Sequence, residues 1–489
     1  MSEGYFLKLL TESERKQLVR LETVADLETL CLERYADKPA INTPRVEQTY
    51  RQMWTLVGRY RGFLSQMKIK PGEKIAIALP NSEECIETFL AVATYGAIAV
   101  MIAGSGPAQV KEEACDVAGC KFAFCKETLK GITCWDPSEL TLPEPVSSAA
   151  LKTEEPVAAF FTGGTSGLLK CALLSNKAIM TGTYNGVFAL SPVFGQRYYG
   201  LIPFSHIFGT VRNMLTCFQT GSCIRPCSDM SAIVQDMKEY KPTILVLIPA
   251  LAGMLLNLAG LYGKEVFGGQ LKQIVTGGAP QPTEIARVYK EKYGIDLVSG
   301  YGLTETANLV SGNTEVLEHC NSVGQLYNFQ EVRIVDQEIQ VRGDNIFIEY
   351  INNPAETAAA FDDGWFKTGD LGYMDEDGYL FITGRIKNLI YFTNGEKICP
   401  EQIEARVDRI PGVKASLVSM KKNAFGANML TCEIFTEKGH PETEASIRNA
   451  VEAINSSMQE FSRVRQILFR YEDFPRTAAM KIRRPKNDA

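Results

Sequence analysis

FTGGTSGLLK, Phe161–Lys170, packs three glycines, three hydroxyl side chains and a lysine into ten residues. PVAAF before it reads as a short strand, so the segment leaves a strand as a glycine-rich loop. Glycines permit unusual backbone angles and let main-chain N–H groups approach an anion closely. Thr162, Gly163, Gly164, Thr165, Ser166, Gly167 and Lys170 therefore form a candidate phosphate cradle. Gly164 and Lys170 have the spacing of the first glycine and the lysine of a Walker-type loop. That loop also needs glycine just before the lysine and Ser or Thr just after it. Leu169 and Cys171 stand there, so the Walker reading fails.

Working outward, KIAIALP (Lys74–Pro80), TILVLIP (Thr243–Pro249) and QIVTGGAP (Gln273–Pro280) read as buried strands ended by Gly or Pro. SAIVQDMKEY (Ser231–Tyr240) and PTEIARVYKEKYG (Pro282–Gly294) carry helical patterns between them. The alternation predicts α/β layers with largely parallel sheets. FLAVATYGAIAVMIAG, Phe89–Gly104, falls short of the ~20 residues that span a bilayer and predicts a buried helix followed by a buried strand. After about Ser322 shorter strands appear, EVRIVD, EIQVRG and YLFITG, with DEDG as a turn. Charged helices and short strands follow Gly384, which places a domain boundary near Arg385 to Asn388.

A chain of 489 residues with 45% apolar and 22% charged side chains has the proportions of a soluble globular protein of more than one domain. A net charge of -6 gives no general attraction to nucleic acid, and KIRRPK near the C-terminus reads as a solvated tail. The N-terminus lacks the apolar core of a secretory signal. Thirteen cysteines without extracellular spacing predict reduced thiols in a cytoplasmic protein. Three histidines and no Cys-x-x-Cys pair argue against structural zinc.

Five segments in order then point to one family. FTGGTSGLLK resembles the phosphate loop T-S-G-T-T-G-x-P-K-G of adenylate-forming enzymes, which include acyl-CoA synthetases, peptide-synthetase adenylation domains and luciferases. SGYGLTETA (Ser299–Ala307) is similar to their Y-G-x-T-E segment. DDGWFKTGDLGYMDEDGYLFITGRIKNLI (Asp362–Ile390) resembles their G-W-x-x-T-G-D and G-R-x-K stretches. NGEKICPEQIE (Asn394–Glu404) and FPRTAAMKIRR (Phe474–Arg484) resemble the last two motifs. The likeness is greatest to acyl-CoA synthetases.

The resemblance implies a large α/β N-terminal domain with a small β-barrel-like part, residues 1–386. A small α+β C-terminal domain, residues 387–489, would move on a hinge at Lys387. It implies ATP, Mg2+ and coenzyme A, and activation of a carboxylic acid to an acyl-adenylate before transfer to a thiol. Thr165, Ser166 and Gly167 would wrap the β- and γ-phosphates, with Lys170 as a charged anchor. Tyr301 would face adenine from one side and Gly278, Ala279 and Pro280 from the other, with Gly302 in the same segment as Tyr301. Thr304 would donate to the α-phosphate, and Glu305 would hold magnesium as a hard oxygen ligand. Asp370 would accept from both ribose hydroxyls, and Arg385 would hold ribose and phosphate. Lys481 would bridge the acid and the α-phosphate as charge develops. Gly395 would line a pantetheine tunnel.

LIPFSHIFG (Leu201–Gly209) resembles the acid-pocket motif, with His206 at its gate. Amino-acid-activating members carry aspartate where Ile207 stands, and a buried ammonium without counter-charge is costly. The resemblance therefore implies an apolar acyl or aryl acid. Coenzyme A is the first candidate for the acceptor and a carrier-protein thiol the second. A nucleotide-binding protein that has lost catalysis is a further alternative. Leu169, Cys171, Asn176 and Met480 depart from the family pattern. Trp365 is expected to be a core aromatic, and His206 has a satisfied core histidine as its simpler reading.

Overall fold

The computed structural model describes residues 5–162, 169–392, 396–422, 428–437, 441–476 and 482–484. The chain separates into two compact units, one of residues 1–332, 341–367 and 376–380, the other of residues 333–340, 368–375 and 381–489.

Two sheets carry the first unit. One has the strand order Glu349–Tyr350, Lys170–Ser175, Pro156–Thr162, Ile98–Met101, Lys74–Ala78, Phe122–Cys125, Thr133–Trp135. From Pro156–Thr162 onward its neighbours run parallel. Lys170–Ser175 returns antiparallel with Thr162 opposite Lys170, and Glu349–Tyr350 pairs with it antiparallel in turn. Parallel strands covered on both faces need continuous apolar runs, which is why KIAIALP has no alternation.

The helix Glu83–Tyr95 starts at Ser82, whose Oγ accepts from the Cys85 amide at 3.2 Å. It stops at Gly96, at φ 89°, a left-handed cap that glycine takes without strain. Ile98–Met101 follows as a fully buried strand, as the apolar run predicts.

In the other sheet Pro39–Asn42, Cys223–Pro226, Arg197–Gly200, Ile244–Leu247, Gln273–Gly277 and Asp296–Tyr301 lie parallel in that order. Glu47–Thr49 pairs antiparallel beside Pro39–Asn42, and Ser311–Asn313 then Ser322–Leu326 pair antiparallel beyond Asp296–Tyr301. The pattern SAIVQDMKEY forms the helix Ile233–Tyr240. PTEIARVYKEKYG forms Thr283–Val288 and then a π-helical turn, Tyr289–Tyr293. Met237, Tyr240 and Tyr289 from these helices pack on Leu245 and Ile274 of the sheet.

In the second unit, portions of Gln330–Val335, Glu338–Gly343, Trp365–Met374 and Leu380–Arg385 lie side by side in that order. A hairpin, Ile390–Tyr391 with Lys397–Ile398, follows. Ala415–Lys422 pairs antiparallel with Asn428–Phe435, which pairs parallel with Gln466–Arg470. Ile403 and Val407 from the helix Pro400–Val407, and Ile447 and Val451 from Pro441–Ser456, pack on Val418, Leu430 and Ile434. Glu404, buried on the first of these helices, accepts from the Val418 amide at 2.7 Å and from Arg484 Nη1 at 2.9 Å. Burial pushes its carboxyl above the ordinary range while Arg484 holds it back. Arg476 and Ile482 pair as an antiparallel bridge.

Among the described residues no helix is long and apolar enough to cross a membrane.

Candidate functional site

The strand Gln273–Gly277 ends in Gly278, at φ 80°, and Gly278, Ala279 and Pro280 are exposed beyond its C-terminal end. In the neighbouring parallel strand Gly300 lies opposite Gly277, so Tyr301 and Gly278 leave the sheet side by side. This C-terminal edge is where open α/β sheets take ligands. At Gly302 a Cβ would stand 1.7 Å from the Asn308 carbonyl oxygen, so only glycine lets the chain turn there. The turn that follows is closed by the Leu303 amide donating to Thr306 Oγ1 at 2.9 Å, and it buries Thr304 and Glu305.

Glu305 Oε1 accepts from the Tyr350 hydroxyl at 2.7 Å, and the Glu305 carbonyl accepts from the Phe347 amide at 2.9 Å. No hydrogen bond reaches Oε2 among the described residues. Burial, then the Glu305 charge and the hydrogen bond to it, push the Tyr350 phenol well above its ordinary pKa. The donor therefore keeps its proton and the carboxylate is held in one orientation, with one oxygen left to face a cation.

Thr162 and Lys170, paired across the two strands, bracket the glycine loop. Lys170 is no solvent-facing charge: it is ion-paired with Glu356, and its Nζ lies 5.0 Å from the centroid of the Tyr350 ring. Glu356 sits on the helix Pro354–Ala359, whose cap Asn353 Oδ1 accepts from the Glu356 amide at 3.2 Å. Tyr350 thus touches both the base of the loop and the Glu305 carboxylate. Gly163, Gly164, Thr165, Ser166 and Gly167 lie outside the described residues, as do Gly395, Met480 and Lys481.

His206 and Ile207 stand just before the π-helical segment Phe208–Leu215. His206 is exposed, and its Nδ1 accepts from the Phe208 amide at 3.2 Å, so it is not a satisfied core histidine. Ile207 is buried. Trp365 corrects another expectation. It is half-buried with the Arg342 guanidinium 4.5 Å from its ring centroid, and the core aromatic is its neighbour Phe366. Alternation along the strand explains the difference, because adjacent side chains point to opposite faces.

In the second unit Asp370 is 1% exposed. Arg385 grips it with both forks, Nε to Oδ1 at 2.6 Å and Nη2 to Oδ2 at 3.3 Å. The Asp370 amide donates to Thr368 Oγ1 at 3.0 Å, and that hydroxyl donates to the Ile339 carbonyl at 2.7 Å. Gly369, at φ 69°, donates its amide to Glu338 Oε1 at 3.0 Å. Lys387 is exposed in the turn Ile386–Asn388.

Tyr350 and Glu356 escape a reading by motif, because EYINNPAET carries no chemistry of its own. Only the strand Glu349–Tyr350, laid against Lys170–Ser175, brings them to the loop.

The family model for AMP-binding enzymes matches residues 29–350, and that for the AMP-binding enzyme C-terminal domain matches residues 387–488. Long-chain-fatty-acid–CoA ligase FadD13 of Mycobacterium tuberculosis is 24% identical over 89% of this chain and 92% of its own. 4-Coumarate–CoA ligase of Vanilla planifolia is 25% identical over 94% and 92%. Among solved structures, ATP-bound MatB from Rhodopseudomonas palustris aligns with a TM-score of 0.83 at 23% identity, covering 94% of this chain and 97% of that one. O-Succinylbenzoate CoA synthetase from Bacillus subtilis, in complex with its acyl-adenylate intermediate, aligns with a TM-score of 0.81 at 20% identity over 94% and 96%.

Proposed function

This chain belongs to the AMP-binding enzyme family, and from that premise we propose that it joins a carboxylic acid, acyl or aryl, to AMP and then passes the acyl group to coenzyme A. In the first step a carboxylate oxygen of the acid attacks the α-phosphorus of ATP, and the bond to pyrophosphate breaks. In the second the thiol sulfur displaces AMP from the acyl carbon.

The observation that carries the reading is the Glu305 carboxylate, buried at the C-terminal edge of a parallel sheet with one oxygen held by Tyr350. Two anions must be brought together for adenylation, so the site has to offset phosphate charge and fix the attacking oxygen in line. The free oxygen of Glu305 fits a magnesium ion, which when bound neutralises phosphate charge. Thr304 donates to the α-phosphate, and Tyr301 stacks adenine against Gly278, Ala279 and Pro280. The loop from Thr162 to Gly167 wraps the terminal phosphates with Lys170 at its base. Asp370 takes the ribose hydroxyls once Arg385 gives up one of its two contacts. His206 and Ile207 gate the acid pocket.

Residues 1–386 form the nucleotide- and acid-binding domain and residues 387–489 a mobile domain that delivers Lys481 by pivoting at Lys387. Gly395 then lines the path of the pantetheine. The relatives named as CoA ligases support coenzyme A as the thiol. Thirteen free cysteines support a reducing, cytoplasmic setting.

The test is a panel of carboxylic acids with ATP, Mg2+ and coenzyme A, reading AMP and thioester mass together. Acid-dependent AMP release with thioester is expected. ATP binding without pyrophosphate exchange for any acid would reduce the chain to a nucleotide-binding protein.

A further inference from the structure

Four cationic side chains are buried among the described residues, and three have their anions. Arg61 Nη1 lies 2.9 Å from Glu28, Lys111 Nζ 2.7 Å from Glu127, and Arg225 Nη1 3.5 Å from Asp236. The fourth, Arg212, is fully buried, and neither its Nε nor either Nη has a hydrogen-bond partner among the described residues. The Tyr198 hydroxyl and both polar atoms of the Asn213 amide are likewise unpartnered.

Arg212 and Tyr198 are close to one another, and Asn213 follows Arg212 in the chain. The Arg212 guanidinium acts on the buried phenols of Tyr198 and Tyr327, close to the first yet outside hydrogen-bonding geometry. Arg212 Cδ would stand 3.3 Å from a Cβ placed on Gly186 of the helix Asn176–Val187, so glycine makes room for it. A guanidinium left without counter-charge in an apolar interior is expensive.

Its place in the fold says what would complete it. Arg212 lies on the π-helical segment Phe208–Leu215, where the Thr216 amide bonds the Val211 carbonyl five residues back. Such wide turns are frequent at functional sites. They bring residues four and five apart onto one face, so Arg212 sits one turn beyond Ile207 and Phe208. Phe208 in turn packs toward Gly277, 3.2 Å from where its Cβ would be, at the start of the Gly278–Pro280 edge. The unpaired guanidinium thus belongs to the residue one turn along this segment from Ile207 and Phe208, the start of the stretch assigned to the acid gate.

We propose that Arg212 binds a second carboxylate at the far end of the acid, so that the substrate is an acyl or aryl dicarboxylic acid. The planar fork suits a carboxylate bidentately, with Tyr198 and Asn213 as further donors. This substrate assignment rests on the ligase reading above.

The experiment compares matched acids on the purified full chain: succinate with butyrate, adipate with hexanoate, terephthalate with 4-methylbenzoate. Pyrophosphate exchange and thermal stabilisation are read for each, with formate as a free carboxylate, on the parent, Arg212→Lys and Arg212→Met. At least one diacid is expected to exceed its monoacid partner in kcat/KM by about 100-fold, the ratio expected when the monoacid leaves a buried charge unpaired. Both variants should bring that ratio close to one while retaining a folded melting transition. Monoacids turned over by the parent as well as their diacid partners would overturn the proposal and leave the ligase reading intact. Diacid-specific stabilisation that disappears in Arg212→Lys, with no exchange for any acid, would keep the carboxylate site and sink the ligase reading. Formate stabilising the parent as much as the diacids, with no diacid preference in exchange, would overturn the assignment to substrate. The parent panel alone decides if Arg212→Met fails to fold.

Discussion

Replacing Tyr350 by Phe removes one hydroxyl and keeps the ring. Its packing 4.8 Å from Phe347 and its face toward Lys170 survive, so the change isolates the 2.7 Å hydrogen bond to Glu305. A hydrogen bond to a buried charged acceptor contributes about 1.5–3 kcal/mol, and its loss leaves Oε1 unsatisfied. Unfolding free energy should fall by about that amount in urea denaturation. If the orientation of Glu305 is used in the adenylation transition state, kcat/KM for pyrophosphate exchange falls about 10- to 100-fold. The Mg2+ concentration for half-maximal rate rises with it. Burial and the Glu305 charge raise the Tyr350 pKa, so the phenol keeps its proton and the difference between parent and variant stays flat from about pH 7 to 9.5. The bond is lost only as pH climbs through the raised value. A double-mutant cycle with Glu305→Gln separates this from general destabilisation: the two changes should couple by at least about 1 kcal/mol in exchange rate. Exchange in Tyr350→Phe within about twofold of the parent, or strict additivity with Glu305→Gln, would refute the reasoning.

Lys481→Ala should reduce adenylation by about three orders of magnitude or more, as when a group that stabilises transition-state charge is removed, while thioester formation from a supplied acyl-adenylate persists. Stopped assays of each half-reaction check this, and equal loss of both would contradict a two-position C-terminal domain. Asp370→Asn leaves Arg385 without its ion pair, and ATP affinity by calorimetry should fall about 10-fold or more if the carboxylate takes both ribose hydroxyls. Burial holds the Glu87 carboxyl up at about 8 against an ordinary 4.5, so the stability that goes with its neutral form is fully present below about pH 4.5 and is lost as pH rises toward 8. Glu87→Gln should therefore flatten stability across that window and gain about 3–5 kcal/mol over the parent by about pH 8, measured by denaturation at both ends.

The parallel α/β character was legible in the apolar runs because strands covered on both faces need them, and KIAIALP, TILVLIP and QIVTGGAP all form such strands. The placing of Tyr301 near Gly278 was an expectation from the family resemblance and not from strand patterns; the structure adds that Gly277 and Gly300 lie opposite each other in neighbouring parallel strands. Trp365 was misread because residue type was set above alternation: Lys367 shares its face of the strand, and the core face is that of Phe366. Arg212 drew no notice in TVRNML because an arginine in a helical pattern is ordinarily a solvated charge.

By itself the sequence determined which chemistry is present and in what order. FTGGTSGLLK, SGYGLTETA and the downstream TGD, GRIK and terminal lysine segments are local patterns, and local backbone chemistry is written in neighbouring residues. Tertiary structure alone decided the partners. Lys170 meets Glu356, 186 residues away, because a two-residue strand lies on its own strand, and Tyr350 reaches Glu305 across the same junction. Nothing in spacing predicts such pairs, since side-chain contacts across a sheet depend on register. Nor does spacing tell that, among the described residues, three buried cations find an anion while Arg212 does not.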